Sequence, residues 1–277
     1  MKVPNVLAIG GSDPSGGAGV QADVRTITSL GAYACAAITL LTAQNSGAVT
    51  AVWKVPGRRV REQLETLLAD VSIQAIKIGA LGSRSTARVV AEVLEGLPEL
   101  PVVLDPVHRA SAGPGLLDRG ARGVLLERLV PRATLLTPNV LEAASLTETG
   151  LPGDVAGMQE CARRLLALGA RAVLLKGGHL PPNEAGDVVD IYADSSRVEE
   201  LRGARIAGGP FHGSGCVLAS AAAVALARGE TPFRAALAAR QVVRAGMEGA
   251  VSLQAGSGPR PLWTLARLEG GRYVDER

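Results

Sequence analysis

The chain has 277 residues, of which 47% are hydrophobic and 20% charged, and its formal net charge at pH 7 is +3. This is the composition of a globular protein with a substantial core. Aromatic residues make up only 3% of the chain and only four of its 29 basic residues are lysine. A nucleic-acid-binding surface needs basic patches interleaved with stacking side chains, so nucleic acid is not an expected partner.

The three cysteines, Cys35, Cys161 and Cys216, lie far apart and form no C-x-x-C pair. This argues against a disulfide framework or a zinc site and favours a reducing compartment. The apolar start of the chain is too short for a signal peptide, and no apolar run approaches the roughly 18 residues of a membrane span. We therefore expect a cytoplasmic protein without a membrane partner.

Short apolar runs alternate with longer amphipathic stretches along the chain. The runs predict buried strands over Val6–Ile9, Ala36–Leu41, Ala75–Ile78, Val102–Leu104, Thr134–Thr137 and Ala172–Leu175. The stretches between them have helical spacing over Ala18–Leu30, Val60–Ala69, Thr86–Leu94, Leu116–Leu129, Leu141–Leu146 and Met158–Leu168. Because the strands are continuously rather than alternately hydrophobic, they predict a mostly parallel sheet covered by helices on both faces, a three-layer α/β/α fold.

The last third of the chain completes this prediction. Val188–Tyr192 and a segment near Ala204–Ala207 are predicted as late strands, open to antiparallel pairing, and helices begin near Ser214 and span Pro232–Val251. There is no linker, internal repeat or low-complexity segment, so we expect a single domain over residues 1–277.

Polar and glycine-rich segments follow the predicted strands. They are 10–19 (GGSDPSGGAG), 42–45 (TAQN), 79–82 (GALG), 105–107 (DPV), 138–142 (PNVLE) and 176–179 (KGGH). Ligands of such sheets bind outside the carboxyl ends of the strands. Glycine, carboxylate, amide and lysine chemistry gathered on one edge favours an enzyme over a scaffold.

Several common enzyme motifs are excluded. The segment 17–22 fits the dinucleotide pattern G-x-G-x-x-[GA], but no acidic residue that could hold the ribose occurs between Asp23 and Glu62. No lysine is placed as in a Walker A loop, and there is no G-x-S-x-G nucleophile elbow. The three histidines form no pair at the helical spacing of a zinc hydrolase.

The stretch Gly208–Gly229 is the leading candidate for the reaction centre. Its second half, Val217–Ala227, predicts a buried helix, and Gly213-Ser214-Gly215 stands where that helix begins. Unpaired amides at a helix start attract anions, and glycine lets an anion approach them closely. The same field is expected to lower the thiol pKa of Cys216, making it a candidate base. The alternative is a tightly packed turn in which Cys216 is a small buried hydrophobe.

Other residues on the predicted edge suit phosphate chemistry. Lys176 can reach a phosphate as a point charge. Asn139 and Glu142 share a face at a helix start, and with Asp105 they offer the oxygen ligands that Mg²⁺ prefers. Each has a plainer interpretation: Asn139 as a helix cap, Glu142 as a partner of the helix dipole, and Lys176 as a surface side chain. Together they favour phosphoryl transfer, which depends on positioning and charge neutralisation.

Seven short segments of the sequence, taken together and in order, resemble the motifs of a known family. They are 11–23 (GSDPSGGAGVQAD), 42–45 (TAQN), 77–82 (KIGALG), 105–107 (DPV), 137–142 (TPNVLE), 175–179 (LKGGH) and 212–216 (HGSGC). The combination, spanning residue 6 to about 230, resembles the hydroxymethylpyrimidine/phosphomethylpyrimidine kinases of thiamine biosynthesis, in the ribokinase superfamily. The resemblance implies a ribokinase-like fold and a homodimer that uses ATP and Mg²⁺. It implies phosphorylation of 4-amino-5-hydroxymethyl-2-methylpyrimidine and then of its monophosphate.

The resemblance also implies roles for individual residues. Cys216 would be the base, Gly213, Ser214 and Gly215 the anion hole, and Lys176 a contact of the ATP phosphates. Asp105, Asn139 and Glu142 would serve the magnesium-nucleotide, with the metal on Asp105 and Glu142. The substrate would be held by Gln44, which reads the aminopyrimidine edge, and by Gly11, Ala18, Asp23, Ala80 and Val107.

The sequence departs from the family pattern in two places. Residues 108–113 (HRASAG) lack the lysine that the family usually has there, which removes a charge near the substrate phosphate of the second phosphorylation, and Arg109 is a candidate replacement. Phe211, after Pro210, replaces the usual threonine before the anion hole. The alternatives are a related kinase for pyridoxal or another heteroaromatic alcohol, and a non-catalytic ligand-binding module.

Overall fold

The computed structural model describes residues 2–108, 115–178, 180, 186–253 and 255–264. Within these residues nine strands form one sheet: β1 Asn5–Ser12, β2 Tyr33–Gln44, β3 Val49–Lys54, β4 Ala75–Ile78, β5 Val102–Leu104, β6 Leu135–Leu136, β7 Ala172–Leu175, β8 Asp187–Asp194 and β9 Val198–Ala204. The strand order is β3-β2-β1-β4-β5-β6-β7-β8-β9. The six strands from β2 to β7 in that order are parallel, and β3, β8 and β9 pair antiparallel at the two edges.

The helices cover both faces of this sheet, as predicted. In the described part of the chain they are α1 Gly19–Ser29, α2 Gly57–Leu68, α3 Arg84–Glu95, α4 Arg119–Val124, α5 Val140–Thr147, α6 Val155–Ala167, α7 Ser214–Ala227 and α8 Pro232–Gly249. A π-helical turn, Leu125–Leu129, follows α4, and a 3₁₀ turn, Ala250–Ser252, follows α8. None of the described helices is both long enough and apolar enough to cross a membrane.

Alternate side chains of the central strands pack into two separate apolar cores, one on each face of the sheet. In β1, Leu7 and Ile9 pack in the core beneath α2 to α6, whereas Val6 and Ala8 pack in the core that contains α1, α7 and α8. Successive strand side chains point to opposite faces, so a strand buried on both sides must be apolar at every position. This arrangement confirms the three-layer α/β/α prediction.

Some predicted boundaries were wrong. The last strand of the sheet ends at Ala204, where the prediction had one near Ala204–Ala207. The helix predicted over Leu116–Leu129 begins at Arg119, because the Asp118 side chain accepts a hydrogen bond from the amide of Ala121 at 2.7 Å and so caps it. The edge strand β3 was not predicted, since its residues are exposed or half-buried and its hydrophobic signal is weak.

A second, two-stranded sheet was also not predicted. It joins β10 Phe211–His212 in parallel to β11 Arg260–Pro261. Phe211, which departs from the family pattern, packs against the core that contains α7 and α8. This small sheet holds the segment that leads directly into α7.

Candidate active site

A cavity of about 1530 Å³ opens at the carboxyl ends of the parallel strands. It is lined by polar residues at the ends of three of them: Ser12 and Asp13 at the end of β1, Asp105 directly after β5, and Lys176 directly after β7. The first turn of α7 forms another wall. The structure therefore gathers the polar segments at one edge of the sheet, as the sequence predicted.

The start of α7 is shaped by glycine. Gly213 is the N-cap residue with φ 79°, and a Cβ atom there would lie 1.9 Å from the carbonyl oxygen of Gly17. No side chain caps the helix, and its first backbone bond within the helix runs from Val217 to Gly213. The amides of Ser214, Gly215 and Cys216 precede that bond, at the positive end of the helix dipole. Such a helix start is a ready site for an anion.

An ion pair lies beside this helix start. Lys176 Nζ is 3.1 Å from Asp105 Oδ1, and the Thr137 hydroxyl donates to the same oxygen at 3.4 Å. A Cβ atom at Gly215 would lie 3.1 Å from Asp105 Oδ2 and 3.2 Å from Lys176 Nζ. Burial opposes the charge on Lys176, but Asp105 and Glu142 raise its pKa above the ordinary lysine value. The ammonium therefore stays charged where a phosphate would meet the helix.

Asn139 and Glu142 form a reciprocal capping box at the start of α5. The Asn139 side chain accepts from the Glu142 amide at 2.9 Å, and the Glu142 carboxylate accepts from the Asn139 amide at 2.8 Å. The capping interpretation of Asn139 is thus correct, and both residues also line the cavity. Burial, opposed by Lys176 and reinforced by repulsion from Asp105, raises the pKa of Glu142 to about 7.

Cys216 lies in the first turn of α7 and faces the cavity, but its electrostatics differ from the prediction. Burial, together with the charges of Asp23 and Asp105, raises the pKa of its thiol to about 11, although Lys77 and the amide of Gly19 act in the opposite direction. The expectation that the helix field lowers this pKa was therefore wrong. Loss of hydration and two nearby carboxylates outweigh the helix dipole.

Asp23, which the resemblance implied as a substrate contact, is not among the residues that line the cavity. It is fully buried, accepting a hydrogen bond from Lys77 Nζ at 2.7 Å and one from the Ser220 hydroxyl at 2.8 Å. Lys77, in contrast, is one of the residues that line the cavity. Sequence reasoning missed Lys77 as a site residue, although a lysine inside the apolar strand A-I-K-I was a signal that it has a buried anionic partner.

The other residues predicted to contact the substrate line the end of the cavity that is formed by the loop after β1 and by β2. Gly11, Ala18, Gln44, Ala80 and Val107 all line it. The Gln44 amide nitrogen lies 3.3 Å from His212 Nε2, and the amide oxygen accepts a hydrogen bond from the Thr42 hydroxyl at 3.2 Å. The replacement suggested for the missing lysine, Arg109, lies outside the described residues.

Asp13 and His212 were not singled out from the sequence. The Asp13 carboxylate accepts from the amides of Ser15 and Ala18, each at 2.9 Å, and its Oδ2 lies 3.2 Å from His212 Nε2. It therefore holds the glycine-rich loop after β1 against β10. The motif G-S-D-P-S-G-G carried a signal, since Asp and Ser at this spacing commonly bond backbone amides in turns.

The opposite end of the cavity is lined by residues from β8, β9 and α8. Arg240 donates to Asp190 Oδ2 at 2.8 Å and to the carbonyl oxygen of Leu201 at 2.6 Å, and Asp190 Oδ1 accepts from the Gly177 amide at 2.8 Å. Arg244 donates to the carbonyl of Ala204. The cavity thus extends from Gln44 to Arg240 and Arg244, and Lys176 and the start of α7 also line it.

A sequence profile of the phosphomethylpyrimidine kinase family matches residues 13–261. The chain belongs to this family. It is 40% identical over 256 residues to the hydroxymethylpyrimidine/phosphomethylpyrimidine kinase of Streptomyces coelicolor, covering 92% of the chain and 93% of that protein. It is 44% identical to the thiamine biosynthesis bifunctional protein of Geobacter sulfurreducens, of which it spans only 51% of the length. The resemblance noted from the motifs is thereby confirmed.

Solved structures agree with the fold of this phosphomethylpyrimidine kinase family member. The pyridoxal kinase of Staphylococcus aureus in complex with AMP-PCP and pyridoxal superimposes with a TM-score of 0.86 at 29% identity, over 96% of this chain and 95% of that one. The phosphomethylpyrimidine kinase of Clostridium difficile gives 0.75 at 32% identity, over 88% and 98%. Both comparisons support the ribokinase-like α/β/α fold.

Proposed function

We propose that the chain is an ATP-dependent kinase acting in thiamine biosynthesis. It phosphorylates the hydroxymethyl group of 4-amino-5-hydroxymethyl-2-methylpyrimidine and then the resulting monophosphate. The observation that carries this proposal is one continuous cavity with an uncapped helix start and Lys176 at its middle and Gln44 at one end. The family match supports the same reaction.

The anion site positions the phosphate that is transferred. The amides at the start of α7 and the Lys176 ammonium converge on one space, which the missing Cβ of Gly215 keeps open. Preorganised donors of this kind stabilise the charge that develops during phosphoryl transfer. Nucleotide binding places the other phosphates and the base toward β9 and α8, where Arg240 and Arg244 line the cavity.

Asp105 and Glu142 fit a magnesium site. The described residues contain no cluster of three or more His, Cys, Asp or Glu side chains able to enclose a metal ion. Mg²⁺ in kinases, however, is usually held by one or two carboxylates together with substrate phosphates and water. These two carboxylates, both next to Lys176, would hold it in that way, and the metal would neutralise phosphate charge.

Cys216 acts as the base at the other side of the transferred group. The hydroxyl oxygen forms the bond to the γ-phosphorus while the bond to the ADP oxygen breaks, and the hydroxyl proton passes to the thiolate of Cys216. Gln44 aligns the ring: an amide offers one acceptor and one donor, which match the amine and the ring nitrogen of an aminopyrimidine.

The test is ADP release from the purified protein with the pyrimidine alcohol, its monophosphate and pyridoxal as parallel substrates. Turnover of the alcohol with little turnover of pyridoxal supports the proposal. Turnover of the monophosphate decides the second step, for which the family lysine is missing from residues 108–113.

A pyridoxal kinase is the second candidate, because the superposition on the S. aureus pyridoxal kinase has the high TM-score of 0.86. A clear preference for pyridoxal in the same assay would establish it. Tight binding of the pyrimidine without ATP turnover would instead indicate a non-catalytic binding module.

We also propose that the chain works as a homodimer of single-domain subunits in the cytoplasm. Leu41 and Trp53 are cross-strand partners at the sheet edge and are 45% and 57% exposed. Two large apolar side chains side by side on an edge favour a protein contact. Light scattering after size exclusion tests this, and Trp53→Asp should shift the mass toward that of one chain.

A further inference from the structure

The two residues that directly follow β7 are held by hydrogen bonds that run in different directions. The Lys176 amide donates to the carbonyl oxygen of Pro138, in the loop after β6, at 2.9 Å. The next amide, that of the buried Gly177, donates to Asp190 Oδ1 on β8 at 2.8 Å. The backbone around the lysine is therefore fixed to both neighbours of β7 in the sheet.

The strand register explains why Asp190 is the residue that does this. The antiparallel pairing of β7 with β8 runs as far as Leu175 and Ile191. Continued by one residue, the same register places Asp190 opposite Lys176. Beyond that pair the carboxylate of Asp190, rather than the backbone of β8, accepts from the Gly177 amide. A side chain therefore decides the direction in which the chain leaves the sheet.

Arg240 holds the Asp190 carboxylate in place. Its Nε donates to Asp190 Oδ2 at 2.8 Å, and its Nη2 donates to the carbonyl oxygen of Leu201 at 2.6 Å. Leu201 is the register partner of Asp190 on β9, so one guanidinium binds two neighbouring strands. The side chains of Arg240 and Asp190 are only 16% and 14% exposed, unlike the surface ion pairs that contribute little. With Oδ2 bound in this way, Oδ1 stays directed at Gly177.

Gly177 is also packed closely on its other contacts. A Cβ atom there would overlap the carbonyl oxygen of Val189 and would lie 3.2 Å from Met158 Cε in α6. A buried amide that loses its acceptor is costly, so without Asp190 the backbone would have to shift until the amide found water or another acceptor. Lys176, one residue earlier, would shift with it.

We propose that Asp190 is a positioning residue for phosphoryl transfer: through the Gly177 amide it holds the backbone of Lys176 so that the ammonium reaches the phosphate being transferred. The inference rests on the proposed function for the role of Lys176. A lysine side chain is a flexible four-carbon stem, so the place where it starts decides where its charge can reach. Lys176 Nζ lies 3.1 Å from Asp105 Oδ1 and must also meet an incoming phosphate. A displacement of about 1 Å in such a group can cost roughly 10²-fold in rate.

A double-mutant cycle on kcat tests whether Asp190 acts through Lys176. Asp190→Ala removes the acceptor, and we expect it to lower kcat for the pyrimidine alcohol by roughly 10- to 100-fold at saturating ATP. The same substitution made in Lys176→Met should change kcat by no more than about threefold, because the lysine that it would misplace is already gone. Equal losses in the two backgrounds, in variants folded by circular dichroism, would overturn the inference.

The KM for the pyrimidine gives a second criterion. It should change little in Asp190→Ala, because Asp190 lines the end of the cavity opposite Gln44. A loss confined to this KM, with kcat unchanged, would contradict the positioning of Lys176. Arg240 is left intact in these variants because it lines the end of the cavity to which the nucleotide is assigned.

Asp194→Ala is the matched control. Asp194 lies on the same strand and accepts from the Tyr192 hydroxyl and the Ser196 amide, each at 2.8 Å, and it is not among the described residues that line the cavity. Its loss should lower the melting temperature but leave kcat at the wild-type value. A fall in kcat equal to that of Asp190→Ala would mean that any damage to β8 has this effect, and would overturn the inference.

Hydrogen exchange followed by amide NMR measures the same contact without turnover. The Gly177 amide should exchange at least roughly tenfold faster in Asp190→Ala than in the wild-type protein, the size of one lost hydrogen bond. Unchanged exchange would refute the positioning contact. If the wild-type protein phosphorylates no alcohol, the proposed function fails, and the exchange rate still decides whether Asp190 holds Gly177. Equal losses across the cycle in an active enzyme reject only the role of Asp190.

Discussion

Replacing Cys216 with alanine tests whether the thiol is the base, and the structure supplies the magnitude. With a thiol pKa of about 11, roughly one molecule in 10⁴ holds the thiolate at pH 7 in the free protein. Forming it there costs about 5 kcal/mol at 1.36 kcal/mol per pKa unit. Because kcat/KM reports the ionisations of the free enzyme, kcat/KM for the pyrimidine should rise about tenfold per pH unit from pH 7 to 9. The rise occurs because the active form is the deprotonated one.

In Cys216→Ala this slope should disappear. The rate at pH 8 should fall by roughly 10²- to 10⁴-fold, the usual effect of removing a general base. The KM for ATP should stay nearly unchanged. The assay is coupled ADP release with ATP held well below its KM, so that the apparent kcat/KM for the pyrimidine at each pH reports the free protein.

Cys35→Ala and Cys161→Ala are matched controls, because both cysteines are buried in the core on the other side of the sheet from α7. Both variants should keep the wild-type slope. A flat profile in the wild-type protein, or near-normal turnover in Cys216→Ala, would refute the base role and return Cys216 to a packing residue.

Three further predictions concern the buried charges and the anion site. Lys77→Met should destabilise the fold by about 3–5 kcal/mol in urea titrations, because it leaves the Asp23 carboxylate buried without a counter-ion; adding Asp23→Asn should restore part of the loss. Gly215→Ala should weaken ATP binding by roughly tenfold with little change in melting temperature, because its Cβ would lie 3.1 Å from Asp105 Oδ2 in the anion space; unchanged binding would mean that phosphate does not enter there. Lys176→Met should lower kcat by roughly 10²- to 10³-fold at saturating ATP, as loss of a transition-state donor does, and a change in KM alone would contradict that role.

The central strands β1, β4, β5, β6 and β7 were predictable from the sequence because they are buried on both sides of the sheet. Ala75–Ile78 and Ala172–Leu175 were predicted with the bounds that the structure has, since every position in them must be apolar or paired. The edge strands β3 and β9 are exposed on part of their surface, so their apolar signal is diluted by polar residues. The segment β10 is too short for any periodicity, and its pairing with β11 joins residues about 50 positions apart.

The site divides in the same way. Asp105, Asn139 and Lys176 follow strands directly, and a parallel sheet brings the ends of its strands together, so their proximity could be foreseen. The buried partners could not. Lys77 bonds to Asp23, which is 54 residues away in the sequence, and His212 lies beside Asp13, which is 199 residues away. No local pattern encodes such pairings, although the Lys77–Asp23 pair affects the thiol pKa of Cys216.

Lys77 and Lys176 illustrate why burial matters more than residue type in this site. Each is paired with a carboxylate near the start of α7, but the Lys77 side chain is 1% exposed and that of Lys176 is 17% exposed. A phosphate that enters the cavity can therefore take Lys176 from Asp105, exchanging one anion for another at the same ammonium. Lys77 is bonded to Asp23 at 2.7 Å and has no comparable access. Lys77 consequently acts through its field, which lowers the pKa of Cys216, whereas Lys176 acts by contact. Neutralising Lys77 should move the pH dependence of kcat/KM upward, and neutralising Lys176 should weaken phosphate stabilisation at every pH.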